Sequence, residues 1–110
     1  MRSRLMLRFS LFAFTVAACA ANENEVFENN CAACHGTDGR ARTPQGRKLK
    51  ARDLKESLLT DDELLRRIRE GSRNPKGNWL MPAFAETLTE AEIQSAARTA
   101  KSFRPRPPAP

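Results

Sequence analysis

Histidine is nearly absent from this chain: there is one among 110 residues, with three cysteines, one tryptophan and no tyrosine. A single imidazole leaves no second Cys/His pair, which argues against a four-ligand zinc site. No βαβ pattern surrounds the cysteines, which argues equally against a thioredoxin-like dithiol. Long apolar runs are missing too. The longest, Phe9 to Ala18, covers about ten residues, against the roughly 20 that a membrane-spanning helix needs. Beyond residue 20 only four aromatics remain, Phe27, Trp79, Phe84 and Phe103. A chain so small and polar buries too little apolar surface to hold a fold unaided.

What is present begins with a leader. Arg2, Arg4 and Arg8 precede the apolar run, and small residues follow it. That order is a secretory signal, expected over residues 1–20 with cleavage near Ala18 to Ala20. Val16-Ala17-Ala18-Cys19 resembles the lipobox of bacterial lipoproteins, in which the cysteine is acylated and becomes the new N-terminus. Cleavage after Ala20 would instead discard the thiol, and both readings stand. The expected location is outside the cytoplasm: the periplasm, or its membrane surface if Cys19 carries lipid. The remainder, about 90 residues, is enough for one domain and too short for two.

Cys31-Ala32-Ala33-Cys34-His35 organises that domain. Two cysteines three apart, followed at once by a histidine, form the attachment signature of a c-type haem. One helical turn brings Cys31 and Cys34 to one face, where they meet the porphyrin's vinyl groups, while His35 reaches the iron. The haem would complete the thin core, and the apoprotein is expected to be largely unfolded. Past the leader the chain has one methionine, Met81, in Leu80-Met81-Pro82-Ala83-Phe84. A residue before proline is held extended, which suits a ligand-bearing loop, and a thioether ligand raises a haem's potential.

From Cys31 through Gly36, a capped helix ending in Gly71, Met81-Pro82-Ala83-Phe84 and a terminal helix, the chain resembles class I cytochrome c over about Glu23 to Phe103. The resemblance implies an all-α fold with three to four helices around one covalent haem c, His35 and Met81 as axial ligands of the iron, and transfer of single electrons. It also implies haem attachment outside the cytoplasm.

The first helix is expected from about Glu23 to Cys34, capped by Asn22, with Val26 and Phe27 inward. Thr60-Asp61-Asp62-Glu63 and Thr89-Glu90-Ala91-Glu92 are capping boxes that open two further helices. Leu64, Leu65 and Ile68 line one inner face; Ile93, Ala96, Ala97 and Ala100 line the other. Between them, Gly36 to Lys55 reads as a long loop, and Asn74-Pro75-Lys76-Gly77-Asn78 as a turn that returns the chain to Met81. Trp79 is expected to pack against apolar neighbours with its N–H satisfied nearby, or to cover the haem and donate to a propionate or a backbone carbonyl. The tail, residues 104–110, is proline-rich and expected to be disordered.

The chain departs from the family in three places. A helix-crossing glycine is Glu23, its aromatic counterpart is Thr99, and the proline whose carbonyl accepts from the ligand histidine is absent near Arg52, with Pro44 too early to replace it. Phe103 against Val26 or Phe27 is the expected substitute at the crossing.

The functional expectation is a one-electron carrier, not an enzyme, acting as a monomer. The alternative is a haem enzyme or gas sensor with an open or labile distal site. A tethered role beside one dehydrogenase or oxidase is a third reading, favoured by a lipid on Cys19. Partners are redox proteins, acidic ones if the basic stretch Arg40 to Lys55 steers docking, with the haem edge as the other docking place. The same stretch also reads as a solvated loop. Nucleic acid is excluded by export and by the lack of stacking aromatics there.

Overall fold

Two long helices frame the molecule, and both start on threonine. The computed structural model describes residue 13 and residues 22–106. In numbered order the elements are α1 (Glu25–Asn30), α2 (Ala32–His35), α3 (Pro44–Leu49), a 3₁₀ turn (Leu54–Glu56), α4 (Asp61–Glu70), β1 (Ser72–Arg73), β2 (Trp79–Met81) and α5 (Glu90–Ser102). Both expected capping boxes form: Thr60 with Glu63 opens α4, and Thr89 with Glu92 opens α5. Each satisfies two backbone donors that would otherwise lack partners.

α4 and α5 run antiparallel. Arg69, late in α4, bonds Glu90 at the start of α5, while Lys101 near the end of α5 lies 2.9 Å from Asp61 at the start of α4. Leu64 and Ile68 from α4 and Ile93, Ala97 and Ala100 from α5 form the buried core with Phe27, Cys31 and Leu54. The small alanine face of α5 lets its neighbours approach closely.

α1 crosses α5 by a polar contact where the family has glycine against an aromatic. Ser95 Oγ donates to the Glu23 carbonyl at 2.9 Å, Thr99 Oγ1 donates to Asn24 Oδ1 at 3.2 Å, and Arg98 Nε donates to Glu23 Oε1 at 2.9 Å. Phe103 does pack on Phe27, with ring centroids 5.3 Å apart and planes tilted by 54°. Val26 is only half-buried.

Two expectations are corrected. The first helix does not run unbroken from Glu23 to Cys34: it starts at Glu25 and is interrupted at Cys31, whose φ of −119° lies outside ideal helical values. Asn22 sits outside it, accepting from Asn24 N–H at 3.1 Å. The stretch from Gly36 to Lys55 is not all loop, because Thr43 caps α3 and Pro44 occupies its first turn, where a missing N–H costs nothing. The turn expected before Met81 is present and closes a short antiparallel hairpin, β1 with β2, and the expected small helical fold holds, with five helices and two short strands among the described residues. The expected leader with Cys19 and residues 107–110 of the tail lie outside the described residues. Among the described residues no helix is long and apolar enough to cross a membrane.

Candidate functional site

The break at Cys31 turns the cysteine–histidine segment into its own short helix. His35 N–H bonds the Cys31 carbonyl at 2.9 Å and Gly36 N–H bonds that of Ala32 at 2.8 Å, after which Gly36 leaves the helix with φ +75°. α3 lies directly against this segment. Thr43 Oγ1 donates at 2.6 Å to the Ala33 carbonyl, with the Cys34 carbonyl also in reach at 3.1 Å, and accepts from Gly46 N–H at 2.9 Å. One hydroxyl therefore caps α3 and ties it to the carbonyls ending α2. Gly46 is required there, since a β-carbon would collide with the Cys34 carbonyl oxygen.

His35 Nδ1 lies 3.1 Å from the Arg52 carbonyl oxygen. A carbonyl only accepts, so Nδ1 carries the proton and Nε2 keeps a free lone pair. This supplies the acceptor that the sequence left open. The family's proline is dispensable because any residue in that place offers the same carbonyl. Burial lowers the pKa of His35, opposed by the hydrogen bond to Arg52, and keeps the imidazole neutral and ligand-ready. Burial, aided by neighbouring Cys34, pushes the Cys31 thiol up to about 11. A redox dithiol needs the opposite shift, toward thiolate.

Met81 reaches the site from the other side. Ser72 pairs with Met81 and Arg73 with Trp79, which leaves Leu80 as an extra residue, a β-bulge. A bulge re-aims the side chains beyond it, and here Leu80 and Met81 both face one cleft although alternation would separate them. The chain then crosses the end of α4, where Phe84 N–H and Ala85 N–H bond the carbonyls of Ile68 and Arg69 at 3.0 and 3.2 Å. Trp79 lies outside the cleft wall, 45% exposed, with the Arg73 guanidinium 3.6 Å above its ring.

The cleft has a volume of about 950 Å³. Cys31, Cys34 and His35 line it together with Leu80, Met81, Pro82 and Phe84, and Phe27, Leu64, Ile68 and Ala100 also contribute to its wall. It thus brings together all four residues singled out from the sequence. Among the described residues no three of His, Cys, Asp and Glu converge as a metal ion's ligand set. The donor set instead suits a flat prosthetic group: two thiols one turn apart, an imidazole with a free Nε2, and a thioether on the same cleft, amid apolar walls.

Residues 18–98 match the family model described as cytochrome c oxidase, cbb3-type, subunit III. The chain belongs to the class I monohaem cytochrome c family. Cytochrome c6 of Thermosynechococcus vestitus is 33% identical over 94 residues, covering 84% of this chain and 78% of that protein. Cytochrome c6 of Pyropia yezoensis is 32% identical over 107 residues, covering 88% and 90%. Among solved structures, the c-type cytochrome KustC0563 superposes with a TM-score of 0.64 at 26% identity, covering 76% of this chain and 99% of that one. This cytochrome carries covalently bound haem c and is an electron-transport protein.

Sequence reasoning pointed near Arg52 by family spacing but left the acceptor open there, and it missed the tie made by Thr43 and the bulge at Leu80. Only Thr43 left a usable signal, a threonine followed by proline, which marks a helix start.

Proposed function

We propose that this cytochrome is a one-electron carrier of an exported electron-transfer chain, with Cys31 and Cys34 forming the thioethers and His35 and Met81 the axial pair. The observation that carries the reading is the shared cleft, which gathers these four side chains amid apolar residues. Haem c, when bound, supplies an iron that takes up and releases one electron. The Arg52 carbonyl fixes the His35 ring and raises its basicity. The Met81 thioether favours the ferrous state and a high potential. The apolar part of the wall, Phe27, Leu64, Ile68 and Phe84, would pack on the haem and keep water from that part of its surface. No enzyme activity is expected, since the chain has no second histidine and no carboxylate within a few residues of Met81 on its N-terminal side to serve as acid or base over the iron.

Partners dock at the mouth of the cleft rather than along the whole stretch Arg40 to Lys55. Lys50, Arg52, Arg66, Arg67 and Arg73 line the cleft against Glu56, Glu63 and Glu70, which favours an acidic partner. Leu58, 95% exposed, and Leu80, 37% exposed, give that mouth an apolar centre. The leader places the carrier in the periplasm, either free or held at the membrane by a lipid on Cys19. The mass of the mature N-terminus distinguishes the two.

The test is the absorption spectrum of the matured protein. The ferric form should show the weak red charge-transfer band of a methionine sulfur on iron, and Met81→Ala should abolish it. A high-spin ferric spectrum with ready carbon monoxide uptake by the reduced protein would refute the reading and favour a gas-binding or enzymatic haem.

A further inference from the structure

Gly71 ends α4 with φ +67° and ψ −160°, a backbone region essentially reserved for glycine. The reason lies across the chain. A β-carbon on Gly71 would collide with the Met81 carbonyl oxygen and stand 2.7 Å from the carbonyl carbon of Pro82 and 2.8 Å from the nitrogen of Ala83. All three are backbone atoms, so no rotamer change relieves the contact, and the crowded segment carries Met81. The same segment is fastened on either side of this contact. Ser72, next to Gly71, pairs with Met81, while Phe84 and Ala85 donate to the last carbonyls of α4. Arg69, which supplies the second of those carbonyls, also bonds Glu90 through its side chain, linking the end of α4 to α5.

We propose that the C-terminus of α4, with Gly71 as its closest contact, is the positioning element for the Met81 thioether, and that the missing side chain at residue 71 governs how firmly that sulfur holds the iron. This rests on the reading of Met81 as axial ligand. Any side chain at residue 71 pushes the Met81–Pro82–Ala83 backbone away from α4, and the sulfur moves with it. The displaced state leaves an open iron face, so affinity for an outside ligand reports its population directly.

Gly77 provides a control within the same hairpin. It also has positive φ, +85°, but a β-carbon there meets nothing within 4 Å. Gly71→Ala and Gly77→Ala therefore both introduce backbone strain, and only the first presses on Met81. In the holoprotein, Gly71→Ala should weaken the ferric charge-transfer band and tighten carbon monoxide binding to the ferrous form by about tenfold or more, the open fraction rising by that factor. Gly77→Ala should match wild type in both, whatever its melting temperature. Ala85→Pro is a second probe, because it removes the N–H that bonds the Arg69 carbonyl without adding bulk at residue 71. It should shift both signals the same way, and it serves alone if Gly71→Ala yields no holoprotein. Wild-type spectra and carbon monoxide resistance in both Gly71→Ala and Ala85→Pro would overturn the proposal, as would equal changes in Gly77→Ala. A wild-type protein lacking the band would overturn the axial assignment itself, a result separable from the others because it precedes any substitution.

Discussion

Thr43→Val isolates one hydroxyl at nearly constant volume. That hydroxyl accepts from Gly46 N–H at the start of α3 and donates to the Ala33 carbonyl at the end of α2. Loss of an N-cap costs about 1 kcal/mol. Loss of the donor to a helix-terminal carbonyl adds about 1 kcal/mol, at the modest end because that carbonyl is partly open to water. The sum is about 2 kcal/mol, with no cavity term since valine fills the same space. For a domain of this size it corresponds to a fall in melting temperature of about 8–16 °C. Thermal unfolding of the oxidised holoprotein, followed in the far-ultraviolet circular dichroism, measures it. Thr43→Ser keeps the oxygen and should stay within about 0.5 kcal/mol of wild type. The tie between α3 and the segment from Cys31 to His35 would be refuted if Thr43→Val were as stable as wild type, or if Thr43→Ser fell as far as valine.

Two further outcomes follow from other side-chain contacts of the fold. Glu63 lies below the ordinary carboxylate value of 4.5 because Thr60 N–H bonds it, and Glu90 does so because Arg69 bonds it. A carboxyl with a lowered folded-state pKa contributes stability that is complete above pH 4.5 and is lost as pH falls below it, since the unfolded chain then binds more protons. The Glu63→Gln, Glu90→Gln double variant should therefore show a shallower loss of melting temperature below pH 4.5 than wild type, and parallel acid limbs would contradict the assignment. Phe103→Ala removes a ring that packs on Phe27 and stands against Gly39. Because Phe103 is only half-buried, the cost should be about 3 kcal/mol, the low end for such deletions. A urea midpoint shift equivalent to less than about 1 kcal/mol would show that the polar bonds at Glu23 and Asn24 carry the crossing instead.

The parts legible beforehand were those written in side-chain chemistry and local spacing. Cys31, Cys34 and His35 announce themselves by type and interval; Thr60 and Thr89 mark helix starts through the glutamate three residues on; Met81 stands out by elimination. Phe103 against Phe27 was legible as well, because few aromatics compete for the place. The charge run from Arg40 to Lys55 concealed α3, since its face toward the protein is chiefly Gly46, which has no side chain to create a periodic signal. Trp79 was not placed in detail, since proximity in sequence to Met81 does not tell which residue its ring meets, and the hairpin brings Arg73 over it.

The sequence by itself determined the attachment motif, the helix caps, the apolar faces of α4 and α5 and the need for a group to complete a thin core, because each depends on side chains close together along the chain. Tertiary structure alone decided which carbonyl orients His35, which hydroxyl joins α3 to α2, how Met81 is aimed and why Gly71 has no side chain. These are contacts of backbone groups, or with them. Every residue carries the same carbonyl and all but proline the same N–H, so composition does not distinguish Arg52 from its neighbours. Only the path of the chain brings that carbonyl to His35 and the Met81 backbone to the end of α4.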